Sequence, residues 1–191
     1  MENYFWLGIV GAVIALLFAW TQAKRVKKFS EGTPLMEKIA AAIRKGANAY
    51  LKRQYKILAV FVVVLAVILA VVPGLGVSTS MAFILGALFS VIAGFCGMKA
   101  ATSANMRTTQ AAGSGLEGAF RVAFSGGSVM GLMVVGLGAL GVGIVYLLNP
   151  DDLNILTGFS LGASSIALFC RVGGGIYTKA ADVGADLVGK V

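Results

Sequence analysis

The sequence predicts an all-α polytopic membrane protein with five transmembrane helices, and three observations carry that reading. The 191 residues are 58% hydrophobic and 13% charged, where a soluble domain carries about 25% charged residues. Apolar stretches long enough to cross a hydrocarbon core of about 30 Å recur along the chain. The sixteen Lys and Arg residues gather in alternate connections and at the C-terminal end, with Arg171 as the one set deep in an apolar run. A net charge of +8 could suit nucleic acid. Basic residues spread over alternate connections are instead a mark of membrane topology, so nucleic acid is not an expected partner.

Residues 4–22 carry no charge and form helix 1, with Trp6 and Trp20 near the two interfaces. The basic residues follow this run, which is the wrong order for a secretory signal. Residues 23–54 read as a cytoplasmic amphipathic segment; ten of the sixteen basic residues fall between Lys24 and Lys56. Within it, Thr33-Pro34 is a helix start, with Thr as N-cap and Pro at the first helical position. Its basic face suits anionic lipid.

Helix 2 covers about 55–72 and is closed by Pro73-Gly-Leu-Gly76. Helix 3 covers about 81–107, with Gly86, Ser90, Gly94 and Gly97 as a stripe for close packing in lipid. Near its end, Asn105 and Arg107 suit either a polar cavity or a solvated extension. Helix 4, about 119–148, holds Gly126, Gly127, Gly131, Gly136, Gly138, Gly141 and Gly143, read as packing positions and not as a phosphate loop. Asn149-Pro-Asp-Asp152 is a turn, and helix 5 takes 153–191.

The positive-inside rule places 23–56, 98–121 and the end of helix 5 in the cytoplasm, as in a multi-pass plasma-membrane protein. The N-terminus is then outside, on a side that holds only Glu2, Asp151 and Asp152 as charges.

Helix 5 ends in Lys179, Asp182, Asp186 and Lys190, spaced by three, four and four residues. At 100° per residue they share a wedge of about 80°, and Arg171 lies about 80° to one side. Two carboxylates one turn apart can share a Mg²⁺ ion, which often binds through one or two carboxylates plus substrate phosphates. Lysines on the same face can neutralise the remaining phosphate charge. The same spacing also describes an ordinary solvated helix end. Arg171 lies about 22 Å along the span from Leu156, still inside the core, whereas Asp182 at about 39 Å is beyond it. An intramembrane arginine is by default functional, and the predicted spans of helices 1 to 4 hold no acidic partner.

The run Gly173-Gly-Gly-Ile-Tyr-Thr-Lys-Ala-Ala-Asp-Val-Gly-Ala-Asp-Leu-Val-Gly-Lys-Val191 closely resembles the first acidic motif of the membrane-bound, ion-translocating inorganic pyrophosphatases. Gly97-Met-Lys-Ala-Ala-Thr-Ser-Ala-Asn-Met-Arg-Thr-Thr109, Gly126-Gly-Ser-Val-Met-Gly131 and Arg44-Lys-Gly-Ala-Asn-Ala-Tyr-Leu-Lys-Arg-Gln-Tyr55 are similar to earlier segments of that family, in the same order. The resemblance implies hydrolysis of pyrophosphate coupled to pumping of H⁺ or Na⁺, in homodimers of sixteen-helix subunits. It implies that Lys179 and Lys190 bind pyrophosphate, that Asp182 and Asp186 hold Mg²⁺, and that Arg171 lies in the ion path. K⁺ is a candidate second cation. The nucleophile would be a carboxylate-activated water, with no catalytic residue of its own in this chain.

The chain ends at Val191, one residue before a glutamate that usually continues the motif, and lacks the family's later acidic motifs. The expectation is an N-terminal fragment that does not hydrolyse pyrophosphate alone. Two other classes stay open: an anion transporter or channel using the Lys179/Lys190 face, and a non-catalytic membrane subunit. Cys96 and Cys170 fall within spans and read as packing residues; with no His, zinc and haem centres are not expected.

Overall fold

A computed structural model describes residues 2–150 and 152–190, without the side chains of residues 2–5. Asp151 of the predicted turn and Val191 at the end of the predicted helix 5 lie outside the described residues. Among the described residues five helices follow one another: α1 (Glu2–Lys27), α2 (Pro34–Val71), α3 (Gly76–Ala112), α4 (Leu116–Leu148) and α5 (Asn154–Val188). There is no strand among the described residues, and each helix is long and apolar enough to cross a membrane.

The helices outrun their apolar stretches. Helix α1 continues through Lys24, Arg25 and Lys27, and α3 begins at Gly76 and continues past Arg107. Charges end an apolar run, but they do not break backbone hydrogen bonds, so the helix continues into water. The largest difference is at α2. Where the sequence suggests an amphipathic segment followed by a separate span from about 55, one helix of 38 residues runs from Pro34 to Val71. Its start is capped: the Met36 N–H donates to Thr33 Oγ1 at 3.4 Å, with Pro34 in the first turn. No proline interrupts the interior, and Ala40, Ala47, Leu51, Leu58, Ala66 and Leu69 form one buried face along its length. It stops at Val71, two residues before Pro73.

Helix α3 is central, packed against α2, α4 and α5. The α3–α5 crossing rests on reciprocal glycines. A Cβ on Gly86 would collide with the Phe159 carbonyl, and one on Gly162 would collide with the Phe83 carbonyl. One on Gly158 would lie 2.5 Å from the Thr79 carbonyl oxygen. Backbone thus meets backbone, as small residues permit in lipid. In α4, Gly136 fits against Leu16 and the Ala12 carbonyl of α1, and Gly126 against Ala104 of α3. Gly127, Gly131 and Gly138 face open space among the described residues.

The α1–α2 connection is tied to α3 through Glu31. Its carboxylate pairs with Arg107 at 2.9 Å and with Arg44 at 3.0 Å. Arg107 also donates from Nε to the Phe29 carbonyl at 2.9 Å and from Nη1 to Ser103 Oγ at 2.9 Å. Arg107 is 9% exposed, so it is a buried anchor and not part of a solvated extension. Burial of a guanidinium is tolerated because its donors are used.

The hydrogen bond from Arg44 holds the Glu31 carboxyl below its ordinary value of 4.5, against the opposing effect of burial, with the charges of Arg107 and Arg44 adding to it. A lowered folded value means stability that is complete above about pH 4.5 and is lost as pH falls through that lowered value. Glu31→Gln is expected to cost about 1–3 kcal/mol at pH 7. The gap to wild type in a thermal unfolding series should close as pH falls through that lowered value. A gap that is constant with pH would mean that the charge of Glu31 contributes nothing.

Candidate functional site

Helix α5 has 35 residues, about 52 Å at 1.5 Å per residue, and so exceeds a hydrocarbon core by about 20 Å. Its first half is packed: Ile155, Gly158, Phe159, Gly162 and Ile166 are buried against the bundle. Its last turns are not. Lys179, Asp182 and Asp186 are exposed, and so is Lys190 just past the helix end. Among the described residues α5 runs through Val188, and the Gly189 N–H still donates to the Ala185 carbonyl at 2.9 Å.

No described ion pair engages Lys179, Asp182, Asp186 or Lys190. Their charges are not consumed in holding the fold. Among the described residues no three His, Cys, Asp or Glu side chains gather closely enough to hold a metal. Asp182 and Asp186 supply two oxygen-donor groups one helical turn apart. That fits a hard cation whose remaining ligands come from phosphate and water.

Arg171 stands between this exposed face and the packed half of α5. It lines a cavity of about 580 Å³ between α3, α4 and α5, with Ser90, Gly94, Met130 and Cys170 among its walls. Arg171 is itself exposed at the edge of this space, and the Lys179–Lys190 face follows it along α5. The two are not brought into contact; eight residues separate Arg171 from Lys179, about 12 Å of rise.

Residues 13–191 match the family model described as inorganic H⁺ pyrophosphatase. The chain belongs to this family. Among curated members, one from Clostridium tetani, named as a putative K⁺-stimulated pyrophosphate-energized sodium pump, is 53% identical over 191 residues, which is all of this chain and 28% of that protein. One of the same name from Bacteroides thetaiotaomicron is 50% identical over 98% of this chain and 28% of its own length. A K⁺-insensitive pyrophosphate-energized proton pump from Methanosarcina mazei is 44% identical over all of this chain and 28% of its own. The chain thus spans between a quarter and a third of the length of these relatives.

The supports of the α5 site come from α2, to which the sequence pattern assigned no contact with α5. Gln54 Nε2 donates to the Phe169 carbonyl at 3.0 Å, two residues before Arg171. The Tyr50 and Tyr177 rings lie 5.2 Å apart, two residues before Lys179. Gly173 leaves room for Tyr50: a Cβ there would lie 2.8 Å from the Tyr50 hydroxyl. Phe61 packs edge-on against Phe169 at 4.9 Å. The signal for this brace was present in the segment from Arg44 to Tyr55, whose polar and aromatic residues continue directly into an apolar span. What was lacking was the partner surface, more than a hundred residues away.

Proposed function

We propose that this chain is the N-terminal, substrate-side part of a membrane pump that hydrolyses inorganic pyrophosphate and moves H⁺ or Na⁺. The observation that carries the reading is the Lys179–Lys190 face of α5: two carboxylates and two lysines, exposed and free of described ion pairs. Family membership supports it, and so do the names of the relatives. Asp182 and Asp186 hold Mg²⁺, and Lys179 and Lys190 bind the pyrophosphate oxygens. Bound magnesium supplies charge neutralisation on a phosphoanhydride, where positioning and electrostatics account for most of the catalysis. Arg171 lies in the ion path, a role that its place at the edge of the space between α3, α4 and α5 supports.

The basic ends of α1 and α3 meet the basic starts of α2 and α4 at one end of the bundle, around the Glu31 cluster. That arrangement supports a cytoplasmic placement of this end, with the N-terminus outside, in the plasma membrane. A homodimer of full-length subunits and a requirement for K⁺ complete the proposal.

The test is phosphate release from magnesium pyrophosphate, together with H⁺ and Na⁺ uptake, by inverted membrane vesicles carrying the full-length gene product that contains this chain. Hydrolysis and uptake of one of the two ions are expected, each measured with and without K⁺. Arg171→Gln should keep more hydrolysis than ion uptake. Pyrophosphate binding without any hydrolysis would move the assignment to an anion transporter. Neither binding nor hydrolysis would leave a non-catalytic membrane subunit.

A further inference from the structure

Among the described residues, helices α1 and α2 do not pack against each other. Between them, with α3 as the floor, lies a groove of about 510 Å³. Its inner end is apolar, formed by Leu16 of α1 and Met133 of α4, and its outer end carries Lys27, Arg44 and Lys99. From Leu16 to Lys27 is eleven residues, about 16 Å of helix rise. Half of a hydrocarbon core of about 30 Å is about 15 Å. The groove is therefore as deep as one leaflet is thick.

Its mouth has the chemistry of a lipid interface. The Lys24 ammonium lies 3.4 Å from the Trp20 ring centroid, and Lys99 lies 5.0 Å from that of Phe95. Long basic side chains beside interfacial aromatics place their heads at the level of lipid phosphates. Arg44 is engaged by Glu31, whereas among the described residues Lys27 and Lys99 have no acidic partner. Asn48 and Thr102 add hydrogen-bonding groups to the same lining.

We propose that this groove binds an anionic diacyl phospholipid, with its phosphate against Lys27 and Lys99 and one acyl chain reaching toward Leu16. Charge complementarity at the mouth and the match in depth both favour this occupant. Basic pockets between transmembrane helices take anionic headgroups for the same reason. The bound lipid fills the space between α1 and α2 and fixes the end of the bundle that holds the Glu31 cluster. The proposal requires that the bundle spans a membrane; it does not require that the protein hydrolyses pyrophosphate.

The test is native mass spectrometry of the full-length protein, released from mild detergent containing equal dioleoylphosphatidylglycerol and dioleoylphosphatidylcholine. Preferential retention of phosphatidylglycerol is expected. The Lys27→Gln/Lys99→Gln pair should lower that retention by about 10- to 30-fold, taking about 1 kcal/mol per basic residue. Ala23→Phe, which fills the groove without changing charge, should reduce retention of both lipids. Lys52→Gln/Lys56→Gln, outside the groove, should change nothing. Equal retention in the Lys27/Lys99 variant would overturn the proposal, as would displacement of the lipid by inorganic phosphate. Cross-linking from Cys96 in the groove wall to a later part of the polypeptide would also overturn it, since protein would then fill the space.

Discussion

Asp182→Asn in the full-length protein is expected to lower kcat/KM for magnesium pyrophosphate by at least about 100-fold, with little effect on folding. Asparagine keeps the shape and one acceptor oxygen but removes the negative charge. Two carboxylates one turn apart are all that the α5 face offers a cation, so the substitution removes half of its charge there. Loss of one preorganised electrostatic group in an active site costs about 10²–10³ in rate, and each tenfold corresponds to about 1.4 kcal/mol. Asp182 is exposed and makes no described ion pair, so its own contribution to stability should be within about 0.5 kcal/mol. The measurement is phosphate release across a magnesium titration, beside a thermal unfolding curve. A site that needs the carboxylate for magnesium should recover part of its activity at high magnesium. Activity within tenfold of wild type at low magnesium would remove Asp182 from the metal site. An equal loss of activity and of folded protein would make it a structural residue.

The second large effect is structural. Gly162→Ala is expected to destabilise the bundle by about 1–3 kcal/mol, and Gly162→Leu to prevent α3 and α5 from packing. The reason lies in what the new Cβ meets. At Gly162 it meets the Phe83 carbonyl and, at 2.9 Å, the Ala87 nitrogen. Gly86 makes the reciprocal contact with Phe159 and, at 3.1 Å, with the Ala163 nitrogen. Side chains can rotate away, but helical backbone cannot, so the two axes must separate along the crossing. Because α5 carries the charged face, hydrolysis should fall together with stability. Gly131→Ala is the control, since its Cβ meets nothing within 4 Å among the described residues. An alanine there should be neutral or slightly stabilising through helix propensity. Resistance to unfolding in a denaturing detergent series reads both. Gly162→Ala with wild-type stability would mean that the helices do not cross this closely.

The element count could be read from the sequence because apolar runs of span length have few other uses. Thr33-Pro34 marked the start of α2 to the residue, since capping is local chemistry. Boundaries at the charged ends were less legible. Lys24, Arg25 and Lys27 end the apolar run of α1 without ending the helix, and a sequence read for lipid contact stops too soon. The charged face of α5 was legible for the same local reason as the cap: spacings of three and four residues decide which side chains share a helix face. Its supports from Tyr50, Gln54 and Phe61 were not, because no periodicity in α2 says which of five helices it will touch.

Hydropathy and helical period, both readable in the sequence by itself, determined an all-α membrane chain and the wedge of Lys179, Asp182, Asp186 and Lys190. Only the tertiary structure decided the rest. It made one helix of the amphipathic segment and the second span, set Gly86 and Gly162 against opposing carbonyls, and buried Arg107 on Glu31. The Phe29 carbonyl that Arg107 also holds is 78 positions away in the chain. Hydropathy and spacing act over a few turns of helix. Pairing between distant segments depends on which surfaces fit, and that is settled only when the helices pack.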